Sequence, residues 1–221
     1  YHPSNSYIYL YGNMDMEEKL AFLDEHYLSH FDYLDVDSVI QEQKAFGACR
    51  DVTLEYPVAE NEGEEDNTYL SYNMVVGNAA DSQMAMAFEV LDYALLSAPG
   101  APLKQALLDV KAGKDVYGSY DDGILQPYFT VIAKGSNPDR KEEFVSVIRQ
   151  VLGDIVKNGI DKKAVEAGIN YFEFRYREAD FSSYPKGLMY SLDILGDWLY
   201  EKGNPFAQVQ QLTVFENLKK A

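Results

Sequence analysis

The sequence predicts an α+β fold, a mainly antiparallel sheet with helices packed on one face, and three features point to it. Segments with strand-like alternation fall in neighbouring pairs able to run antiparallel, helix-patterned segments separate the pairs, and an Asp-Gly turn at Asp122 and Gly123 joins two of the strands. With 221 residues and 47% apolar content, the chain can bury a substantial core. It is expected to form a single domain, 1–221, with a first strand and helix over 1–34, a loop region over 35–67 and the main body over 68–221.

SYIYLYG (6–12) alternates aromatic and aliphatic residues and closes on Gly12 and Asn13, the habit of a largely buried strand. Asp15 can cap the following helix, in which Met16, Leu20, Leu23, Tyr27 and Phe31 recur at steps of three and four and predict a buried face. From 32 to 67 the pattern loosens, apart from a strand-like CRDVTLEYPV, and ends in the acidic run ENEGEED, read as a solvated loop rather than a cation site. TYLSYNMVVG alternates as a further strand, and a helix starts at Asp81 with Met84, Phe88, Leu91 and Leu95 in register until SAPGAP breaks it. Pro102 opens a shorter helix.

DVYGSYDDGILQPYFTVIAKG then reads as a hairpin, with Pro127 implying an edge position or bulge near the start of its second strand. Asn137 and Pro138 start a helix whose Phe144, Ile148, Val151 and Ile155 face inward before Asn158-Gly159 ends it. Asp161 caps the next helix, and Pro185 begins another bearing Leu188, Leu192, Leu195 and Leu199. An amphipathic VQQLTVFENLKK closes the sequence. The predicted order is β-α-β-β-α-α-β-β-α-α-α.

Thirty-six acids against nineteen bases give a formal charge of −17, which disfavours nucleic-acid and anionic-membrane binding and leaves basic peptides compatible. A single cysteine, Cys49, excludes an intrachain disulfide and a multi-cysteine metal site. No apolar run approaches the roughly 20 residues of a membrane helix. The sequence opens at Tyr1 without Met, which suggests that a leader, a further domain or both precede it in the parent protein.

His26 and His30 stand four apart, the spacing of a zinc-binding pair. Zinc hydrolase helices also carry a glutamate between the histidines, as H-E-x-x-H or H-x-x-E-H, so that metal, water and base meet on one face. Here the intervening residues are Tyr27, Leu28 and Ser29, and the only other histidine is His2, so flank histidines beside an apolar stripe are the better account. No motif joins Cys49 or a serine to a histidine base, and no phosphate-binding glycine loop is present. Gly118, Gly123 and Gly135 fit turn and bulge positions. The aromatic-basic stretch Tyr171–Arg177 fits a packed helix in which Arg175 and Arg177 pair with acids such as Glu173 and Glu178 better than a base-stacking surface.

Several passages, in order, resemble one family. YHPSNSYIYLYGNMDMEEKL, with Tyr1, Pro3, Asn5 and Gly12, is similar to the opening of the second domain of pitrilysin-type zinc peptidases. LLSAPGAPLKQALLDV followed by VYGSY resembles that domain's small-residue break, short helix and Tyr-bearing strand. NGIDKKAVEAGINYFEFRYREADFSSYPKGLMYSLDILGDWLY resembles the presequence protease branch.

The resemblance covers nearly the whole chain and implies the α/β sandwich of the processing-peptidase and pitrilysin type. Relatives hold zinc on an H-x-x-E-H helix in their first domain, a motif this sequence lacks, so no catalytic, cofactor or metal residue is carried over. In the family's last domain a hairpin strand presents an Arg to the substrate; the corresponding GILQPYFTVIAKG contains none. The resemblance therefore implies a non-catalytic second domain. Zinc would belong to the parent endopeptidase, where a metal-bound water activated by Glu attacks a peptide carbonyl. The implied partners are other domains of the same polypeptide and unstructured peptides, basic ones among them. The compartment would be the cytoplasm in a bacterium or an organelle matrix in a eukaryote. Two alternatives stay open: a scaffold subunit of the same fold, for which a degraded upstream zinc motif would speak, and a free-standing peptide-binding module, for which calorimetric binding by this chain alone would speak.

Overall fold

A computed structural model describes residues 2–61, 63–179, 181–200, 204–207 and 209–220. Its elements, in chain order, are α1 (Met16–His26), β1 (Thr68–Val75), α2 (Ser82–Asp92), α3 (Pro102–Asp109), β2 (Asp115–Asp121), β3 (Tyr128–Ser136), α4 (Lys141–Asn158), α5 (Lys162–Glu178), α6 (Lys186–Leu199) and α7 (Leu212–Leu218). The chain divides into two compact units, the smaller from Tyr1–Gln41 and Ala179–Gln210 and the larger from Glu42–Glu178 and Gln211–Ala221.

The larger unit is built on an antiparallel sheet of order β1-β3-β2. Side chains alternate across a strand, so register decides which residues share a face. Leu70, Ala133 and Val116 form one row, Tyr72, Val131 and Gly118 the next, and Met74, Phe129 and Tyr120 a third. These rows carry the core, which Leu95, Leu96, Leu103, Leu107, Phe144 and Ile148 complete from the helices, so the helices pack on one face as the sequence predicts. Phe144 is 1% and Ile148 0% exposed, each side chain contributing about 1.5–3 kcal/mol on burial.

The α2 helix is apolar on two sides. Phe88 and Leu91 pack against the sheet-side core, while Met86 and Val90 join Ile169 of α5 and Phe215 of α7 in a second cluster. Met84, expected in the buried register, is 43% exposed, because the helix turns Ala85 and Met86 inward instead. After Asp92 the chain widens into one π-helical turn, Tyr93–Ser97, before Pro99 and Gly100 stop it. Gly159, at φ +85°, closes α4, and the Asp161 carboxylate accepts from Lys163 N at 2.9 Å to start α5.

Gly135, at φ +69°, is the bulge residue of β3: Thr68 and Tyr69 are adjacent, yet they pair with Ser136 and Lys134. Gly118 is neither turn nor bulge. It lies within β2, where a Cβ would come 2.0 Å from Asp92 Oδ1 and 2.4 Å from Leu96 Cδ1, a close-approach glycine. Pro127 precedes the central strand β3 rather than marking an edge, and its carbonyl accepts from Val76 N at 2.8 Å.

Two predicted strands do not form. Residues 6–12 and 49–58 are neither paired nor regular among the described residues, since alternation yields a strand only where a neighbour completes the ladder. The second segment is fastened by side chains instead, Tyr56 Oη donating to Asn67 O and Lys141 pairing with Asp51. The buried face expected for the first helix is also absent. Leu20 is 58% and Phe31 45% exposed, and no residue of α1 is buried. The helix itself stops at His26, because Tyr27 leaves helical backbone at φ −139° and ψ −65°.

Candidate functional site

The helix end at Tyr27 decides the histidine pair. His26 is the last residue of α1, its ring edge-on to Phe22 at 4.6 Å, whereas His30 lies in a separate 3-10 turn, Leu28–His30. A continuous helix is what brings positions four apart onto one face, and it is missing between them. Among the described residues no group of three or more His, Cys, Asp or Glu side chains gathers around a common point. His26 and His30 therefore do not present two zinc ligands on one helical face. Cys49 is exposed, its thiol 3.9 Å from the Arg50 carbonyl.

The four motif residues lie at the start of the smaller unit. Tyr1 is outside the described residues. Pro3 and Asn5 bound a 3-10 turn, Pro3–Asn5, capped by His2, whose Nδ1 accepts from Ser4 N at 3.2 Å. Asn5 Oδ1 accepts from Ser38 Oγ at 2.7 Å, and Ser4 Oγ accepts from Leu34 N at 3.0 Å. Those two bonds tie the turn to the segment around residues 33–38. Gly12 sits at φ +129°, a backbone conformation that only glycine adopts without strain.

Between the turn, the 33–38 segment and the C-terminal end of α6 opens a cleft of about 530 Å³. Tyr7, Tyr33 and Trp198 give it aromatic surface, with Tyr7 and Trp198 in ring contact at 4.7 Å. Asp35 and Asp197 give it negative charge. Sequence reasoning did not find it: Trp198 and Asp35 are 163 positions apart in sequence, and no short-range pattern connects them.

In the larger unit the groups with displaced acidity belong to packing. Burial raises the Asp92 carboxyl above its ordinary value, opposed by a Ser97 hydroxyl 3.5 Å from Oδ2, while Oδ1 is buried with no hydrogen-bond partner among the described residues. Burial, followed by the charges of Asp122, Glu89 and Asp81, pushes the Tyr120 hydroxyl up to about 12. Glu173 is held below its ordinary value by Lys219 and then Arg177, whose Nη2 lies 2.7 Å away, and so fastens α7 to α5. The Arg177 pairing is the one the sequence predicts. Arg175 instead sits over the Tyr171 ring at 5.7 Å. None of these groups forms a nucleophile-and-base pair.

This arrangement has counterparts among known proteins. The description "Peptidase M16 inactive domain" matches residues 1–172. The chain belongs to this inactive-domain family of M16 peptidases. It is 44% identical over its whole length to Protein HypA of Clostridium perfringens, covering 23% of that protein. It is 30% identical over 99% of its length to Presequence protease 1 of Arabidopsis thaliana, covering 20% of it.

A solved structure, the inactive peptidase domain of a candidate zinc protease from Bordetella parapertussis, matches 68% of this chain and 82% of its own at a TM-score of 0.50 and 14% identity, a likeness of fold. The M16 inactive domain is thus the pitrilysin-type, presequence-protease-related second domain that the motif order suggests, non-catalytic in itself. The chain spans only 20–23% of the length of these curated relatives.

Proposed function

We propose that this M16 inactive domain, acting as one unit over 1–221, buttresses a zinc-dependent endopeptidase and forms part of the wall around its unstructured peptide substrates. The observation that carries this reading is the match to a presequence protease along 99% of the chain but only 20% of the relative, together with the match to the M16 inactive domain over residues 1–172. Zinc and general base would then lie elsewhere in the parent polypeptide. The apolar faces of α1 and α6, with Leu20, Phe22, Leu188, Leu192 and Leu199 each at least 48% exposed, are suited to contact with the parent's other domains.

The acid excess supports a second part of the reading, that the wall attracts basic peptides, since a one-sign surface raises the local concentration of oppositely charged ligands. Kinetics of the full-length parent tests both parts. His26→Ala together with His30→Ala is expected to leave zinc content and turnover unchanged; loss of bound zinc would refute the non-catalytic assignment of this pair. Basic peptides are expected to be cleaved faster than acidic ones at low salt, with the advantage shrinking as salt rises. Equal, salt-independent rates would refute the steering.

A further inference from the structure

The smaller unit, Tyr1–Gln41 with Ala179–Gln210, contains twelve acids and three bases, against twenty-four and sixteen in the larger. About half of the chain's net charge is thus concentrated in a third of its residues, and the cleft opens within that unit. Its walls combine three aromatic rings with two carboxylates, the pairing that recognises an organic cation: ring faces attract it through their quadrupole and a carboxylate accepts its N–H donors.

Asp35 has no cation or hydrogen-bond donor among the described residues, although the nearby Ser4 and Asn5 side chains are both engaged, so its charge remains available to a ligand. The bonds from Leu34 N to Ser4 and from Ser38 to Asn5 brace the segment that carries Asp35 on both sides. At about 530 Å³ the space lies in the range of small-ligand sites and exceeds what one side chain requires.

We propose that this cleft binds a guanidinium or ammonium group, that of an arginine or lysine side chain on an extended peptide, with Asp35 as its carboxylate partner and Tyr7 and Trp198 as its aromatic walls. The proposal deepens the basic-peptide reading and rests on it for biological meaning, but its test reads binding by this chain directly. Failure here would leave wall function and long-range steering standing. Failure of steering in the parent would leave this site standing.

Trp198 is the only tryptophan, so its fluorescence reports on the cleft alone. The chain is titrated with N-acetyl-arginine amide and, in parallel, with N-acetyl-citrulline amide, which has nearly the same shape but is uncharged. A saturable change with the arginine compound is expected, at least tenfold weaker for the citrulline compound and for Asp35→Asn. Asp139→Asn, which removes an equal charge from the larger unit, is expected to bind as the parent chain does. Tyr7→Leu is a second variant, expected to weaken binding severalfold without changing the circular dichroism, and it serves if Asp35→Asn fails to fold. No saturable signal, equal affinity for both compounds, or an Asp139→Asn loss matching that of Asp35→Asn would overturn the proposal.

Discussion

The two units use the same amphipathic code and obtain opposite results from it. In the larger unit, apolar stripes and strand alternation converge on a core whose members Leu103, Leu107, Val116, Val131, Ala133 and Ile148 are fully buried. In the smaller unit, α1 and α6 also carry apolar residues at helical spacing, yet among the described residues Ile194 is its only buried hydrophobic. Hydrophobic periodicity specifies that a face should be covered; it does not say by what. The larger unit covers its own faces, whereas those of the smaller unit stay exposed.

The contrast can be broken most forcefully at Phe144. Phe144→Ala is expected to cost about 3–5 kcal/mol in denaturant unfolding, by loss of buried area and the cavity left behind. A loss under 1 kcal/mol would mean that the sheet-side core is not what holds the larger unit. Gly118→Ala comes next, at about 1–3 kcal/mol, since its Cβ would meet Asp92 and Leu96 across the β2 backbone. Pairing it with Asp92→Ala should recover part of that loss, and strict additivity would contradict direct contact.

Asp92→Asn should act in the opposite direction. Burial raises the native carboxyl above its unfolded value, so ionisation penalises the folded state above the folded pKa. Removing the charge should therefore raise the unfolding midpoint at neutral pH. The advantage should shrink as pH falls through the folded pKa and vanish below the unfolded one, and a difference constant with pH would exclude ionisation as its cause. The smallest effect is expected in the smaller unit, where Leu20→Ser should stay within about 0.5 kcal/mol for the isolated chain because the side chain is already 58% exposed. A cost above 2 kcal/mol would show a hidden core there and erase the contrast.

What the sequence made legible follows the same division. The pairing of β2 with β3, the inward Phe144 and Ile148 and the Gly159 helix stop are all encoded within a few residues of themselves, and the structure shows each of them, although residues 122–127 join the hairpin where the sequence predicts a tight Asp-Gly turn. The strand at 6–12 and the buried face of α1 were also written locally, but their fulfilment needs a partner that periodicity cannot name. The absence of a zinc motif was legible because metal chemistry demands a fixed spacing, which His26 and His30 only half supply. The aromatic and acidic cleft was not, since Tyr7, Asp35 and Trp198 meet only through the fold. Gly118 is a lone glycine inside a strand, a pattern that fits a close neighbour as well as a bulge, and here the neighbours are Asp92 and Leu96.

Hydrogen exchange, measured on this chain alone and on the full-length parent, tests most directly whether the smaller unit's open faces are covered by other parts of the parent polypeptide. Amides of α1 and α6 are expected to gain strong protection in the parent while those of β1, β2 and β3 exchange alike in both. Equal, weak protection of α1 and α6 in the two proteins would contradict that expectation.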